Sequence, residues 1–455
     1  MEFVHNNPMS LLEKTDVHGG VFPSSGINGT TVLNKIDEIK DQLPSQTYGH
    51  FGLYAMEGKD SIQEFGEQAY RKFIRMNTVF SSILKGLALI EDDLQAMCVE
   101  IHNGGVEGRA NITSGGSESI YCALHAMRER AKTKLPNISL PEVIVPYSAH
   151  IAFSRGAHFL GIKLVRVPTA TNYRADAKEI ERAISPSTIG IAASAPCWPY
   201  DLFDPISEIG QIAKSRDLWF HVDACVGGFL APFVRDAGYP IPEYDFSVEG
   251  VNSISADLHK YGYSPKPCSS VLWRSEREQQ FHYCPGSDWP MGPYLTQSML
   301  GSGPAGATVA AWAVLNHLGR DGYTDIADKM MKTKQKIIEG ITIIDGISTL
   351  HSDTATVMII SDVFDIQQLT TGMGEFGWIL WGNNEPPLIH LTVDIATDDT
   401  INLFLSDLEK VTRSLFEGKR YPIPESSVYG TGISDDSDQL PRWSYNAWRL
   451  INSRP

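Results

Sequence analysis

Apolar residues along this chain follow two rhythms. Short, mostly apolar runs at 143–145, 189–193, 218–222 and 253–256 are bounded by polar or turn-forming residues and are too short for helices, which predicts buried strands. Between several of them, 117–134, 176–184 and 206–215 carry apolar residues at helical spacing, as Ile120, Leu124 and Met127 do at i, i+4 and i+7. Strands alternating with helices predict an α/β fold with a mostly parallel central sheet. The Ala-rich stretch 305–318, with Trp312 and Leu315, predicts a packed interior helix, and helical spacing continues to about residue 340. Runs at 355–360 and 389–393 predict strands of a smaller C-terminal α/β domain. At the other end, an irregular entry over 1–30 precedes Val32, Leu33, Ile36 and Ile39, whose spacing predicts an amphipathic helix lying against the rest. From Pro422 onward, Pro424, Ser426, Ser427 and an Asp-Asp-Ser-Asp run predict an irregular or interface-wrapping tail. No internal repeat is visible.

Composition narrows the class of function. With 455 residues, 42% hydrophobic and 20% charged, the chain exceeds one typical domain and has ample material for a core. A formal net charge of −16 and the absence of a Lys/Arg-rich run argue for solubility and against nucleic acid as a partner. Six cysteines lie scattered, with no Cys-x-x-Cys pair and no metal-ligand cluster, which implies reduced thiols and no metal. The start, Met-Glu-Phe-Val-His-Asn-Asn, lacks the pattern of a signal peptide, and no run reaches the roughly 18 apolar residues of a membrane helix. The expectation is a cytoplasmic protein without a membrane segment.

The candidate chemistry centres on Lys260, in Ser-Ile-Ser-Ala-Asp-Leu-His-Lys-Tyr-Gly, and on Asp223, at the end of the run preceding it. A lysine amine able to form an imine and an aspartate able to hold a pyridinium proton are what pyridoxal phosphate requires. Asp223 closes a predicted buried strand, and the C-terminal ends of such strands are where open α/β sheets place ligands. Upstream, Asn-Ile-Thr-Ser-Gly-Gly-Ser-Glu-Ser-Ile (111–120) has the makings of an anion cradle. Thr113, Ser114 and Ser117 offer hydroxyls, Gly115 and Gly116 allow close backbone approach, and the helix that follows directs its N-terminus at the loop. Each motif alone reads as an ordinary turn or a solvated lysine; their order and combination favour the cofactor.

Thr-Ser-Gly-Gly-Ser-Glu-Ser (113–119), Ser-Ala-His (148–150), His-Val-Asp-Ala-Cys-Val-Gly-Gly-Phe (221–229), Ile-Ser-Ala-Asp-Leu-His-Lys-Tyr-Gly-Tyr-Ser-Pro-Lys (254–266) and Asp-Trp (288–289) resemble the group II pyridoxal-dependent decarboxylases. Within that family the likeness is greatest to the sphingosine-1-phosphate lyases and covers roughly residues 50–330. It implies a fold type I enzyme in three parts: residues 1–75 wrapping a dimer, 76–330 as the large pyridoxal phosphate-binding domain, and 331–455 as the small C-terminal domain. It also implies that Lys260 carries the cofactor as a Schiff base, that Asp223 pairs with the pyridinium nitrogen, and that His150 stacks on the ring with Ala224 on its other face. Gly116 and Ser117 would bind the phosphate, aided by His259 and by Ser302 acting across the interface of a homodimer. Tyr54 would serve as an acid/base residue, and Lys266 would persist as a second lysine near the substrate. Eukaryotic sphingosine-1-phosphate lyases carry a membrane anchor, so the resemblance is to the soluble type.

The chain departs from that pattern where the substrate's polar end would lie. An Asn-Pro-Leu-His-Pro segment becomes Asn77-Thr78-Val79-Phe80-Ser81, which puts Phe80 in the histidine's place, and Gly-Ser-Arg-Pro-Gly becomes Gly301-Ser302-Gly303-Pro304-Ala305. Two polar groups are lost. The leading expectation is therefore a carbon–carbon lyase acting at Cα of a small-molecule amine, by decarboxylation of an amino acid with an unphosphorylated side chain. The alternatives are retro-aldol cleavage of a phosphorylated amino alcohol, an aminotransferase-like or aldol-forming enzyme, and a non-catalytic protein of the same fold.

Overall fold

The computed structural model describes residues 25–40, 60–80, 83–378 and 380–421, together with the backbone of 426–428 and 431–433. Tyr54, most of the 1–75 segment and most of the tail lie outside the described residues, as does the side chain of Phe80.

Seven strands form the central sheet: β1 (Arg109–Thr113), β2 (Glu142–Pro146), β3 (Lys163–Val167), β4 (Thr188–Ser194), β5 (Trp219–Asp223), β6 (Ser253–Ala256) and β7 (Ser269–Trp273). Their order is β1-β7-β6-β5-β4-β2-β3, and β7 alone runs against the others. β4 and β5, inside the sheet, are buried at every residue, which explains why they read as unbroken apolar runs rather than as alternation. Register places Ser194, Asp223 and Ser255 side by side across β4, β5 and β6. The C-terminal edge of a hydrophobic sheet thus carries one row of polar side chains.

Of the helices, three matter most for the site and its surroundings: α1 (Gly29–Lys40), α2 (Gly116–Lys134) and α3 (Ala305–Ile341). α2 packs over β6 and β7 through a buried face that includes Ile120, Leu124 and Met127. α3 breaks at Gly319, whose φ of 59° and ψ of 178° interrupt the helix, and its second half runs on toward the second sheet. That sheet is antiparallel, with order β10-β11-β9-β8 over β8 (Ser348–Leu350), β9 (Thr356–Ile360), β10 (Trp381–Asn384) and β11 (Pro387–Thr392).

α1 forms as its spacing predicts, but among the described residues it is not packed into the rest. None of its residues is buried, and Leu33 and Ile36 are 62% and 54% exposed. Its apolar face is largely exposed among the described residues.

The second sheet is stitched to the rim of the first by polar contacts. Arg174 forms a two-pronged ion pair with Asp353 at 2.7 and 2.9 Å, and buried Asp201 accepts from the Thr354 backbone at 2.9 Å. Asn383 donates to the Pro199 carbonyl at 2.6 Å, and Trp198 packs on His390 with ring centroids 4.6 Å apart. Pro199 and Trp198 belong to the loop that walls the site.

Candidate active site

Asp223 ends β5 and is 6% exposed. Its Oδ1 accepts from the Cys225 backbone N–H and from the Ser255 hydroxyl, both at 3.1 Å. Two neutral donors fix the carboxylate without neutralising it, so a cation brought to it meets a buried, oriented negative charge. In a water-poor site such a pairing is far stronger than in bulk solvent.

Lys260 lies beyond β6, on the turn that returns the chain to β7. Its Nζ sits 2.9 Å from Asp257 Oδ2, and Asp257 Oδ1 accepts from the Ser269 hydroxyl at 2.5 Å. Burial by itself would raise the Asp257 carboxyl, but Lys260, His259 and Ser269 outweigh it and hold the group below the ordinary carboxylate range. His259 accepts the Cys268 backbone N–H on Nδ1 at 3.1 Å, which leaves the proton of a neutral ring on Nε2, facing Asp257 at 3.7 Å. Burial pushes His259 below the usual imidazole value, against the pull of Asp257.

His150 follows β2 and accepts the Ala152 backbone N–H on Nδ1 at 3.2 Å. Burial depresses its pKa, opposed by Asp223, so the ring is a neutral, flat surface near neutral pH. The 113–119 loop joins β1 to the start of α2. Gly116 is required there by contact: a Cβ would fall 2.6 Å from Cys225 Sγ and 2.8 and 2.9 Å from the two Asp257 oxygens.

These elements enclose a cleft of about 350 Å³ lined by Ser114, Gly115, Gly116, Ser117, His150, Ser194, Trp198, Asp223, Asp257, His259 and Lys260, among others. That volume falls in the ~300–1,000 Å³ range of small-molecule sites. Hydroxyls and the N-terminus of a 19-residue helix stand at one side, a buried carboxylate at another, a neutral imidazole on the wall and an amine within reach. The donor set suits a phosphorylated, cationic, aromatic aldehyde, and pyridoxal phosphate fits it.

Other residues singled out in the sequence lie elsewhere. Ala224 is fully buried behind Asp223, its N–H bonded to the Ser255 carbonyl at 2.9 Å, and it does not line the cleft. Lys266 and Ser302 are exposed and also do not line it. Phe80 ends a 3₁₀ turn, Thr78–Phe80, and a Cβ added at Gly303 would meet Thr78 Oγ1; both Thr78 and Gly303 line a cavity of about 240 Å³ beside the cleft. The structure adds Asp257, Ser255, Ser269 and Trp198 to the site. Asp257 sits within the quoted lysine motif, three residues before Lys260, and a buried acid at that spacing was the available signal; Ser269 and Trp198 come from distant segments and gave none.

The pyridoxal-dependent decarboxylase conserved domain matches residues 88–343. Sphingosine-1-phosphate lyase 1 of Rattus norvegicus is 35% identical over 94% of this chain and 76% of its own length. A probable L-tyrosine/L-aspartate decarboxylase of Methanothermobacter thermautotrophicus is 28% identical over 77% of this chain and 95% of its own. Among solved structures, the sphingosine-1-phosphate lyase of Burkholderia pseudomallei superposes with a TM-score of 0.82 at 30% identity, covering 87% of this chain and 95% of that one. The chain belongs to the pyridoxal-dependent decarboxylase family, with the fold type I architecture, and is a pyridoxal phosphate-dependent lyase.

Proposed function

We propose that this member of the family breaks a carbon–carbon bond at Cα of a primary amine, with Lys260 as the covalent attachment point of the cofactor, and that its reaction is decarboxylation of an amino acid. The arrangement of Lys260 on Asp257, with Asp223 held by Ser255 and Cys225 in the same cleft, carries the reading. Bound pyridoxal phosphate supplies an electron sink for negative charge developing at Cα. Asp223, fixed by Ser255 and Cys225, would hold a proton on the ring nitrogen and so deepen that sink. His150, on the wall of the cleft, would cover one face of the ring and keep water from it. Gly116 and Ser117, with the N-terminus of α2 and His259 nearby, hold the phosphate. With the cofactor and substrate bound, Lys260 would be the amine placed to hold or move a proton beside Cα, and Asp257 would keep it there.

Reaction choice follows from which bond the pocket holds perpendicular to the ring, and this depends on anchors for the substrate's far end. The cavity beside Gly303 and Thr78 is lined by Glu91 and by no Lys or Arg among the described residues, and burying a phosphate without such donors is costly. This supports an unphosphorylated side chain. The second reading, retro-aldol cleavage of a phosphorylated amino alcohol, is supported by relatives named sphingosine-1-phosphate lyases and by the persistence of Lys266 and, outside the described residues, Tyr54. A screen of L-amino acids and amino-alcohol phosphates, with detection of carbon dioxide and aldehyde, separates them. Carbon dioxide without long-chain aldehyde supports decarboxylation; efficient cleavage of a phosphorylated sphingoid base defeats it.

The working unit in this proposal is a cytoplasmic homodimer with shared sites, divided at residues 75 and 330. The exposed apolar face of α1 and the position of Ser302 away from its own chain's cleft support a second copy. Among the described residues no helix is long and apolar enough to cross a membrane. Mixing inactive Lys260→Ala and Ser302→Ala subunits should restore activity in hybrids; full activity from a sedimenting monomer would end the shared-site idea.

A further inference from the structure

Glu118 stands in the first turn of α2 and is 8% exposed, beside a loop that the proposed function assigns to an anion. A carboxylate there opposes a phosphate electrostatically, so its presence calls for another role. Its two oxygens accept four hydrogen bonds. Oε2 takes the Ser114 N–H at 2.6 Å and the Ser114 hydroxyl at 2.7 Å, while Oε1 takes the Met299 N–H at 2.9 Å and the Leu300 N–H at 3.2 Å. The first pair resembles a helix capping box, in which an acid at the third helical position reaches back to the preceding loop. The second pair has no such local purpose: it fastens that same loop to a segment far along the chain, the one that carries Ser302. Ser114 lines the Lys260 cleft and also an adjoining cavity of about 240 Å³ bounded by Leu300 and Gly301, so the fastened segments meet at the wall between the two.

We propose that Glu118 is a positioning residue: by bracing Ser114 against residues 299–300 it holds the start of α2 in the shape that receives the cofactor phosphate. The inference rests on the pyridoxal phosphate reading of the cleft. Hydrogen bonds to a carboxylate are the stronger class, and four of them on Glu118, three from backbone N–H groups and one from the Ser114 hydroxyl, fix both segments in advance of binding. Glutamine in its place has one acceptor oxygen and cannot satisfy both pairs.

The test is made on apoprotein, by titrating wild type and Glu118→Gln with pyridoxal phosphate and with pyridoxal, which lacks the phosphate, and by melting both proteins without cofactor. The expected result is a pyridoxal phosphate Kd raised about tenfold, equivalent to about 1.4 kcal/mol, with the pyridoxal Kd changed by less than about twofold. Equal loss for both ligands would show a merely structural role, and tighter pyridoxal phosphate binding would show that the charge of Glu118 matters more than its bracing; either overturns the proposal. Should Glu118→Gln not fold, Glu118→Asp keeps the charge and both oxygens but is one methylene too short to hold both segments, and is expected to weaken pyridoxal phosphate selectively by about threefold; an unchanged Kd there counts against the proposal. Wild-type protein that binds neither ligand would defeat the assignment of the cleft itself, which is a different result.

Discussion

Replacing Gly116 with alanine adds one methyl group at the first residue of α2, where helix propensity and packing pull in opposite directions. Alanine is favoured over glycine by up to about 1 kcal/mol in a helix, so on propensity alone the variant should gain stability. The added Cβ, however, would stand 2.6 Å from Cys225 Sγ and 2.8 and 2.9 Å from the Asp257 oxygens, whereas relaxed non-bonded contacts lie near ~3.5–4.0 Å. Something must retreat by about 1 Å. Asp257 is tethered by Ser269 at 2.5 Å and Lys260 at 2.9 Å, so its retreat would loosen Lys260, while retreat of the helix start would open the phosphate cradle. Overpacking of this kind costs about 1–3 kcal/mol, which outweighs the propensity gain. The variant should therefore melt at or below the wild-type temperature without cofactor, and should bind pyridoxal phosphate at least about tenfold more weakly, since about 1.4 kcal/mol is tenfold in Kd. Differential scanning calorimetry of apoprotein and an absorbance titration give the two readings. A Gly116→Ala protein that melts higher and binds cofactor like wild type would refute the crowding argument.

Asp223→Asn keeps the shape of the side chain and removes its charge; turnover should fall by orders of magnitude while cofactor is retained through its phosphate, measured by steady-state kinetics and the cofactor absorbance of purified protein. Near wild-type turnover would mean that the ring nitrogen has another partner. His390 lies fully buried against Trp198, and burial pushes it down to about 4. The unfolded chain protonates this imidazole near pH 6.5 while the folded one does not, so the unfolded state binds more protons in that window and the stability His390 confers is lost as pH falls from about 6.5 toward 4. His390→Phe should accordingly flatten the acid limb of the melting temperature against pH; parallel wild-type and variant profiles would contradict the assignment.

The α/β alternation was legible because β4 and β5 are buried on both sides and carry apolar runs, 189–193 in one and Trp219, Phe220 and Val222 in the other. β1 and β7 were not, since Arg-Ala-Asn-Ile-Thr and Ser-Ser-Val-Leu-Trp mix polar residues whose partners, such as Asn111 with Trp273 at 2.8 Å, become apparent only on folding. In the site, Lys260, Asp223, His150 and the 113–119 loop were legible as chemistry and meet in one cleft. Glu118 lay inside a recognised motif yet gave no hint of its contacts, because Met299 and Leu300 are brought from another segment, while for Asp257 only the spacing to Lys260 was a signal and the Ser269 contact appears on folding. α1 illustrates the opposite limit, in which local spacing fixed the helix but said nothing about what covers it.

The central claim is that the cleft holds pyridoxal phosphate through Lys260, and borohydride reduction of the purified holoprotein followed by peptide mapping tests it most directly. The account predicts a single labelled peptide, with the reduced cofactor on Lys260 and no label in Lys260→Ala. Label on Lys266 or another lysine, or none on a protein that carries the cofactor, would contradict it.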